Sequence, residues 1–180
     1  MRDITISTCV DVYEPREDSY LMTRAIQEYA KGTVLDMGTG SGILGISAAL
    51  KGCKVTFCDI NINAIECAKL NAQKNSVDGE FIISDLFSNI KNKFDTILFN
   101  PPYLDSEKII DLALDGGKNG RKHIDIFLST YKKYINKDGI VLLLESSINN
   151  YQQDIKNFNA KVVLSKKLFF EELVILMLGI

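Results

Sequence analysis

The 180-residue sequence is short of several features that would point to particular classes of protein. Its net charge is only -2, so no overall basic field favours nonspecific binding to nucleic acid. No apolar run approaches the ~20 residues of a membrane span, and the N-terminus lacks the apolar core of a signal peptide. We therefore expect one soluble domain over residues 1–180, with no membrane partner.

Cysteine, histidine and proline are also scarce. The four cysteines, Cys9, Cys53, Cys58 and Cys67, show no Cys-x-x-Cys pairing and have no histidine at metal-ligand spacing. We therefore expect no metal site, and we expect reduced thiols in a cytoplasmic protein. The three prolines and the 46% hydrophobic residues are ordinary for a soluble globular chain without linkers.

Short apolar strands alternate along the chain with segments of helical periodicity. Strands are predicted over residues 32–38, 54–59, 80–85, 94–99, 139–145, 161–170 and 171–180. Helices are predicted over residues 41–52, 63–75, 123–136 and 149–158. This alternation predicts an α/β fold with a parallel sheet covered on both faces. Because such sheets bind ligands beyond the carboxyl ends of their strands, functional residues are expected just after each strand.

Three glycines, Gly38, Gly40 and Gly42, follow the first predicted strand and let a backbone approach a ligand closely before a helix begins. With Gly45 they also match a dinucleotide-binding fingerprint, which alone is a weak signal. Asp36 precedes these glycines, and its charge would repel a pyrophosphate but attract a cationic amine. The segment therefore favours a ligand that carries an amine rather than a pyrophosphate.

An aspartate stands at the end of each of the first three predicted strands. Asp59 ends the second strand, where it can accept both hydrogens of a ribose diol. Asp85 ends the third, and the apolar Leu86 and Phe87 follow it, a combination suited to the amine and the face of a purine. Each aspartate singly is explained equally well as a helix cap. The three together predict S-adenosylmethionine as the cofactor.

The fourth strand stops abruptly at Asn100, Pro101, Pro102 and Tyr103. A strand end alone would explain the prolines, which cannot donate to a sheet. At a ligand-binding edge, however, the Asn100 side-chain oxygen and a nearby backbone carbonyl can accept both hydrogens of a planar NH2 group, on which Tyr103 can stack. Two fixed acceptors would stabilise the positive charge on a nitrogen that receives a methyl group. We predict these four residues as the catalytic ones.

Two further segments are open to two interpretations each. Residues 14–19 include Glu17 and Ser19, which either cap a helix or also cover the cofactor. A basic cluster is either a solvated loop or a contact for an RNA-like or acidic partner; it consists of Lys118, Arg121 and Lys122. The lone His123 is expected to be a polar residue at a helix start and not a catalytic base.

Several motifs together resemble the class I S-adenosylmethionine-dependent methyltransferases, and in particular the short archaeal and eukaryotic branch of the HemK/PrmC-type protein glutamine methyltransferases. The segments are LDMGTGSG, FCDIN, SDLF, FNPPYL, VYEPREDSYLM, ALDGGKNGRKHIDIF and FFEELVILML. The likeness spans nearly the whole chain from Val12. It implies a Rossmann-like sheet of seven mostly parallel strands, with an antiparallel last strand and helices on both faces.

The resemblance also implies a reaction and partners. The expected substrate is the glutamine amide of the Gly-Gly-Gln motif in a class I translation termination (release) factor. Members of the short branch work with a small zinc-ribbon adaptor, which we expect to pair with the third strand at the sheet edge, over Phe81, Ile82 and Ile83. By motif, the residues that would contact the cofactor are Ser19, Asp36, Gly38, Asp59, Asp85 and Leu86, and those that would contact the substrate amide are Asn100 through Tyr103.

Two other functions stay open. The same loop chemistry would serve an N6-adenine or N2-guanine methyltransferase acting on DNA or RNA. Against it stand the acidic balance of the chain and the lack of a target-recognition domain. The third possibility, a nonenzymatic or dinucleotide-binding α/β domain, would make the Asn-Pro-Pro-Tyr segment accidental.

Overall fold

A computed structural model describes residues 3–104 and 116–179 of the chain. Its helices are α1 (Glu17–Tyr29), α2 (Ile43–Leu50), α3 (Ile62–Lys74), α4 (Lys122–Thr130) and α5 (Tyr151–Phe158). Its strands are β1 (Thr33–Met37), β2 (Lys54–Asp59), β3 (Glu80–Ile83), β4 (Phe94–Phe99), β5 (Ile135–Ser146), β6 (Lys161–Lys167) and β7 (Glu172–Leu178). Elements of both kinds therefore alternate as the sequence pattern predicts.

The seven strands form one sheet in the order β3-β2-β1-β4-β5-β7-β6. Neighbouring strands from β3 to β5 run parallel, whereas β7 is antiparallel to both β5 and β6. This topology confirms the predicted mostly parallel sheet with an antiparallel last strand. The order reverses at β1 and β4, so a crevice is expected beyond their carboxyl ends.

Hydrophobic helices cover both faces of the sheet. Along β5, Leu142 and Leu144 belong to the cluster that packs on α1, α2 and α3. Val141 and Leu143 belong to the opposite cluster, which packs on α4 and α5. Since side chains alternate along a strand, a continuous apolar run such as this one is typical of a sheet buried on both sides.

The boundaries of two predicted elements are wrong. The helix predicted over 123–136 ends at Thr130, and a short turn, Tyr131–Lys133, precedes β5. Strand β5 begins at Ile135 rather than at 139, because Ile135 pairs with Phe94 before the register shifts near the start of β4. The sequence pattern did not show this break, because Tyr131 is buried at a position where a continued helix would also bury its side chain.

Two of the four cysteines are paired, which overturns the expectation of reduced thiols for them. Cys9 forms a disulfide with Cys67 of α3, while Cys53 and Cys58 are free. The N-terminal segment lies along α3, where the Asn71 side chain bonds the backbone of Ser7. Fifty-eight residues separate the two cysteines, so their spacing gave no sign of the pairing.

Within the described ranges, no helix is long and apolar enough to cross a membrane.

Candidate active site

A cavity of about 430 Å³ opens at the carboxyl ends of β1, β2 and β4. Most of the predicted site residues line it. They are Ser19, Gly38, Gly40, Asp59, Asp85, Leu86, Asn100, Pro101, Pro102 and Tyr103. The fold thus gathers into one place the loops that follow four different strands, as expected for an open parallel sheet.

The loop after β1 is fixed from beneath by Asp36. One carboxylate oxygen accepts hydrogen bonds from the Thr39 hydroxyl at 2.5 Å and from the Gly45 backbone N–H at 2.9 Å. Complete burial raises the pKa of Asp36 to about 7, although these two hydrogen bonds oppose the shift. Asp36 is not among the lining residues, but its other oxygen is buried and has no hydrogen-bond partner among the residues that the structure describes. Asp36 thus holds the loop, and its contact with the cofactor amine stays a prediction.

Asp59 lies in the wall of the cavity and holds the same loop from the side. Its carboxylate accepts from the backbone N–H groups of Gly40 at 3.0 Å and of Asn61 at 2.9 Å. Burial raises its pKa, and the backbone hydrogen bonds oppose this effect. Each oxygen keeps a further lone pair, so the carboxylate can still accept from a diol.

Besides Asp36, two further predicted cofactor-binding residues lie outside the lining of the cavity. Gly42 starts α2 with φ 86, and a Cβ there would meet Ala68 of α3 at 3.1 Å, so this glycine serves close packing. The Glu17 carboxylate pairs with Lys166 of β6 at the surface. Its neighbour Asp18 lines the cavity instead. Helical periodicity could have found it, because Asp18 shares the buried face of α1.

Asn100, at the end of β4, presents one half of its amide to Asp18. Its Nδ2 donates to the Asp18 carboxylate at 3.0 Å. Its Oδ1 is buried and has no hydrogen-bond partner among the residues that the structure describes. An unpaired buried acceptor in a ligand cavity is a position where a donor from a ligand can be accommodated. Asn100 can therefore accept a hydrogen bond from a molecule in the cavity.

The other end of this loop is held by the turn before α4, Lys118–Gly120, and by the segment after β5. The Asn149 side chain donates to the Tyr103 carbonyl at 2.8 Å and to the Asn119 carbonyl at 3.2 Å. Gly120 has φ 67 and passes so close to Tyr103 that a Cβ would stand 1.9 Å from its carbonyl oxygen. Only glycine allows this approach. Burial, followed by the charge of Glu171, raises the pKa of the Tyr103 hydroxyl, which stays protonated.

Arg121 binds acidic residues of its own chain, so it belongs neither to a solvated loop nor to a surface for a partner; for Lys118 and Lys122 both interpretations stay open. Its guanidinium donates to Asp154 at 2.8 Å and to the Asn149 carbonyl at 2.6 Å. It also pairs with Asp125 at 2.7 Å and with buried Glu145 at 3.4 Å. Burial alone would lower the pKa of Arg121, but the hydrogen bonds with Asp154 and Asp125 raise it. The network fixes the segment that bonds to the catalytic loop.

Sequence reasoning assigned no site role to other residues that line the cavity. They are Tyr13, Met37, Thr39, Ser41, Ile43, Leu44, Ile60, Asn61, Ser84, Phe99 and His123. His123 lies in the first turn of α4, as predicted, and reaches the cavity from there. Tyr13 and Asn61 lie within VYEPREDSYLM and FCDIN, two of the segments that carry the resemblance, but no site role was assigned to either residue.

Comparisons with known proteins identify relatives across most of the chain. A family model described as Methyltransferase small domain matches residues 15–168. A candidate protein N5-glutamine methyltransferase of Methanocaldococcus jannaschii is 40% identical over 178 residues, covering 92% of this chain and 90% of that protein. Ribosomal RNA small subunit methyltransferase C of Haemophilus influenzae is 29% identical over 172 residues. That match covers 92% of this chain and only 49% of the relative.

Solved structures give two useful neighbours. The Mtq2–Trm112 complex of E. cuniculi, which is responsible for methylation of the eRF1 translation termination factor, matches with a TM-score of 0.76 and 26% identity. The match covers 94% of this chain and 99% of that one. The 16S rRNA N2 G1207 methyltransferase of T. thermophilus, bound to AdoMet and guanosine, matches with a TM-score of 0.67 and 18% identity, covering 92% and 43%. The second likeness shows the fold alone.

Proposed function

The chain belongs to the methyltransferase small domain family and is an S-adenosylmethionine-dependent methyltransferase, and from this premise we propose that it methylates a glutamine side-chain amide in a translation termination factor. The observation that carries the proposal is the Asn100 amide, whose oxygen is unpaired in the cavity. Support also comes from the candidate N5-glutamine methyltransferase that is 40% identical.

The residues around the glycine loop fit S-adenosylmethionine. At Gly40 nothing lies within 4 Å of the position that a Cβ would take, so the backbone leaves open space. Asp59 retains acceptor capacity for the ribose diol, and Asp85 with Leu86 would hold the adenine. When bound, the cofactor supplies an electrophilic methyl group; the protein's part is to place the acceptor nitrogen in line with it.

The acceptor loop suits a nitrogen whose lone pair is delocalised. The Asn100 oxygen accepts one hydrogen of the substrate NH2 group, and a backbone carbonyl of the loop accepts the other. Pro101 has no N–H that would compete, and the Tyr103 ring stacks on the planar amide. These acceptors stabilise the positive charge that develops on the nitrogen during transfer, and the proton leaves afterwards. No strong base is required, so His123 needs no catalytic role.

A direct assay tests this function. The protein is incubated with methyl-labelled cofactor and, separately, with the host's class I termination factor, DNA and RNA. A matched termination factor in which the Gly-Gly-Gln glutamine is replaced by alanine serves as the control. Label in the wild-type factor that is lost in the control supports the proposal. Equal label in both factors would exclude this glutamine as the acceptor.

A nucleic-acid amine is the second candidate. Its support is the H. influenzae ribosomal RNA methyltransferase, which aligns with 92% of this chain. The chain spans about half the length of that relative, so the alignment leaves a large part of the relative unmatched. The acidic net charge also gives RNA no general attraction. Label confined to the RNA reaction would favour this candidate.

A small zinc-ribbon adaptor is proposed to pair with β3. This strand occupies one edge of the sheet, and Ile83 is 48% exposed there. Exposed apolar edges favour strand addition by another chain, and the E. cuniculi relative is found in complex with Trm112. Phe81 and Ile82 are half-buried against the core. The sequence pattern suggests Ile82→Lys as a test of the adaptor, but this substitution would also disturb the fold.

Ile83→Lys is the sharper test of the adaptor. Co-expression with the host's zinc-ribbon protein, followed by size-exclusion chromatography, should give a heterodimer for the wild type and a weakened one for Ile83→Lys. A matched control is Val162→Lys on β6, at the opposite edge, where an exposed apolar residue is also changed to lysine. A fully active monomer that does not bind the adaptor would rule out this partner.

A further inference from the structure

Asp18 holds Asn100 through a hydrogen bond that only the nitrogen of the Asn100 amide can make. A carboxylate only accepts hydrogen bonds, whereas an asparagine amide carries a donor and an acceptor of nearly equal shape. The contact between Asn100 and the Asp18 oxygen, 3.0 Å long, therefore requires the Asn100 nitrogen on that side. The Asn100 oxygen must then be the atom left without a partner in the cavity.

Asp18 is itself fixed by donors from its own segment. Its side chain is nearly fully buried, at 4% exposure. The Tyr13 hydroxyl donates to it at 3.1 Å, and the Ser19 backbone N–H donates at 2.6 Å. Burial, followed by the charge of Asp18, raises the pKa of the Tyr13 hydroxyl, so this donor keeps its proton. Tyr13, Ser19 and Asn100 thus all donate to the Asp18 carboxylate, which only accepts.

We propose that Asp18, supported by Tyr13, is a positioning residue that selects the Asn100 orientation in which the side-chain oxygen faces the acceptor amide. This inference rests on the proposed transfer to a planar NH2 group. If Asp18 were neutral, the Asn100 amide could turn over and present NH2 to the substrate NH2, a pairing of two donors. The acceptor nitrogen would then lose one of the contacts that hold it in line with the methyl group.

The negative charge of Asp18 offers a competing explanation, since a buried carboxylate would also stabilise a developing cation directly. The two effects differ in their dependence on Asn100. Orientation acts only through the Asn100 side chain, whereas a charge effect persists when that side chain is removed. A double-mutant cycle separates them, because residues that act through one another give non-additive effects.

The experiment measures single-turnover methyl transfer, with whichever substrate the wild type labels, together with cofactor affinity by calorimetry. Asp18→Asn should lower the rate by roughly tenfold to a hundredfold, as expected for a misplaced acceptor, with cofactor affinity nearly unchanged. In an Asn100→Ala background the same change should have almost no effect on the rate. Asp78→Asn, an exposed aspartate remote from the cavity lining, is the matched control and should leave the rate unchanged.

Tyr13→Phe provides a second variant that keeps the ring and removes only the hydroxyl donor. Its rate loss should be smaller than that of Asp18→Asn, and it too should disappear in the Asn100→Ala background. A rate loss of equal size with and without Asn100, or a loss confined to cofactor affinity, would overturn the proposal. An unchanged rate in both variants would overturn it as well. If the wild type labels no planar NH2 group at all, the proposed function itself fails instead.

Discussion

The loops after β1 and β4 lie side by side at the carboxyl edge of the sheet but are held in different ways. Asp36 holds the first loop through Thr39 and Gly45, both within nine residues of it in the sequence. The second loop is held at Asn100 by Asp18, 82 residues away, and at the Tyr103 carbonyl by a side chain 46 residues away. Asp59 of β2 also holds the first loop, through Gly40, 19 residues away. The first loop is therefore held by the ends of two neighbouring strands, whereas the second depends on segments much farther apart in the chain.

This difference predicts where substitutions act. Changes at the first loop should alter cofactor binding or stability, because Asp36 and Asp59 fix its backbone by accepting from the N–H groups of Gly45 and Gly40. Changes at the second loop should alter the rate of transfer, because that loop leaves the Asn100 oxygen unpaired for the acceptor. Substitutions in and around the two loops test this difference between effects on cofactor binding or stability and effects on the rate of transfer.

The largest effect is expected for Asn100→Ala. It removes a preorganised contact with the developing charge, which typically lowers a rate by ~10²–10³. Cofactor affinity should stay close to that of the wild type, since Asn100 acts on the acceptor nitrogen. Single-turnover rates and calorimetry measure the two quantities. Near-normal turnover in this variant would contradict the mechanism.

Asp59→Ala should show the reverse pattern. Loss of charge-assisted bonds to the ribose should weaken cofactor binding by about 1–3 kcal/mol. Calorimetry measures the dissociation constant, and the rate at saturating cofactor should change much less than for Asn100→Ala. An unchanged affinity would count against the assignment of Asp59 to the cofactor.

Asn149→Ala tests the support behind the acceptor loop. The substitution leaves the Tyr103 and Asn119 carbonyls without their donor, and unsatisfied buried groups cost about 1–3 kcal/mol of unfolding free energy. Urea denaturation measures this loss. Asn157→Ala on α5 is the matched control, because Asn157 is exposed and its change should stay within ~0.5 kcal/mol. Equal stability of the two variants would show that the loop is not held from this side.

Asp36 is expected to give a pH dependence of stability. Its pKa in the folded protein, about 7, lies above the ordinary value of 3.8. Between these values the folded state binds a proton that the unfolded state has lost, so this group lowers the unfolding free energy as the pH rises. In Asp36→Asn this contribution should vanish, and the decline between pH 4 and pH 7 should be shallower than in the wild type.

Urea denaturation at several pH values makes the comparison, with Asp78→Asn, an exposed aspartate, as the control. Parallel stability profiles for the wild type and Asp36→Asn would mean that Asp36 does not titrate in this range. The first loop would then owe its stability to groups other than this carboxylate.

The sequence predicts the sheet, the cavity edge and residues that follow four of its strands, because the ends of parallel strands must meet. It predicts Asp59 and Asn100 for this reason. It does not tell which way a side chain faces within a motif, so it did not show that Asp36 lies beneath the loop and bonds Thr39 and Gly45. Glu17 was chosen over Asp18 for the same reason.

Contacts between distant segments are the second limit. The Cys9–Cys67 disulfide and the Arg121 network join parts of the chain that no local pattern relates. The donors that hold Asn100 and Tyr103 belong to this group as well. Local chemistry thus predicts candidate catalytic residues, while only the assembled fold shows what orients them.

The most direct test of the account is mass spectrometry of the termination factor's Gly-Gly-Gln peptide after reaction with the protein and S-adenosylmethionine. We expect one added methyl group, located on the glutamine side-chain nitrogen, formed about a hundredfold or more slowly when Asn100→Ala replaces the wild type. An unmodified glutamine, together with methylated exocyclic amines in RNA treated in parallel, would contradict it.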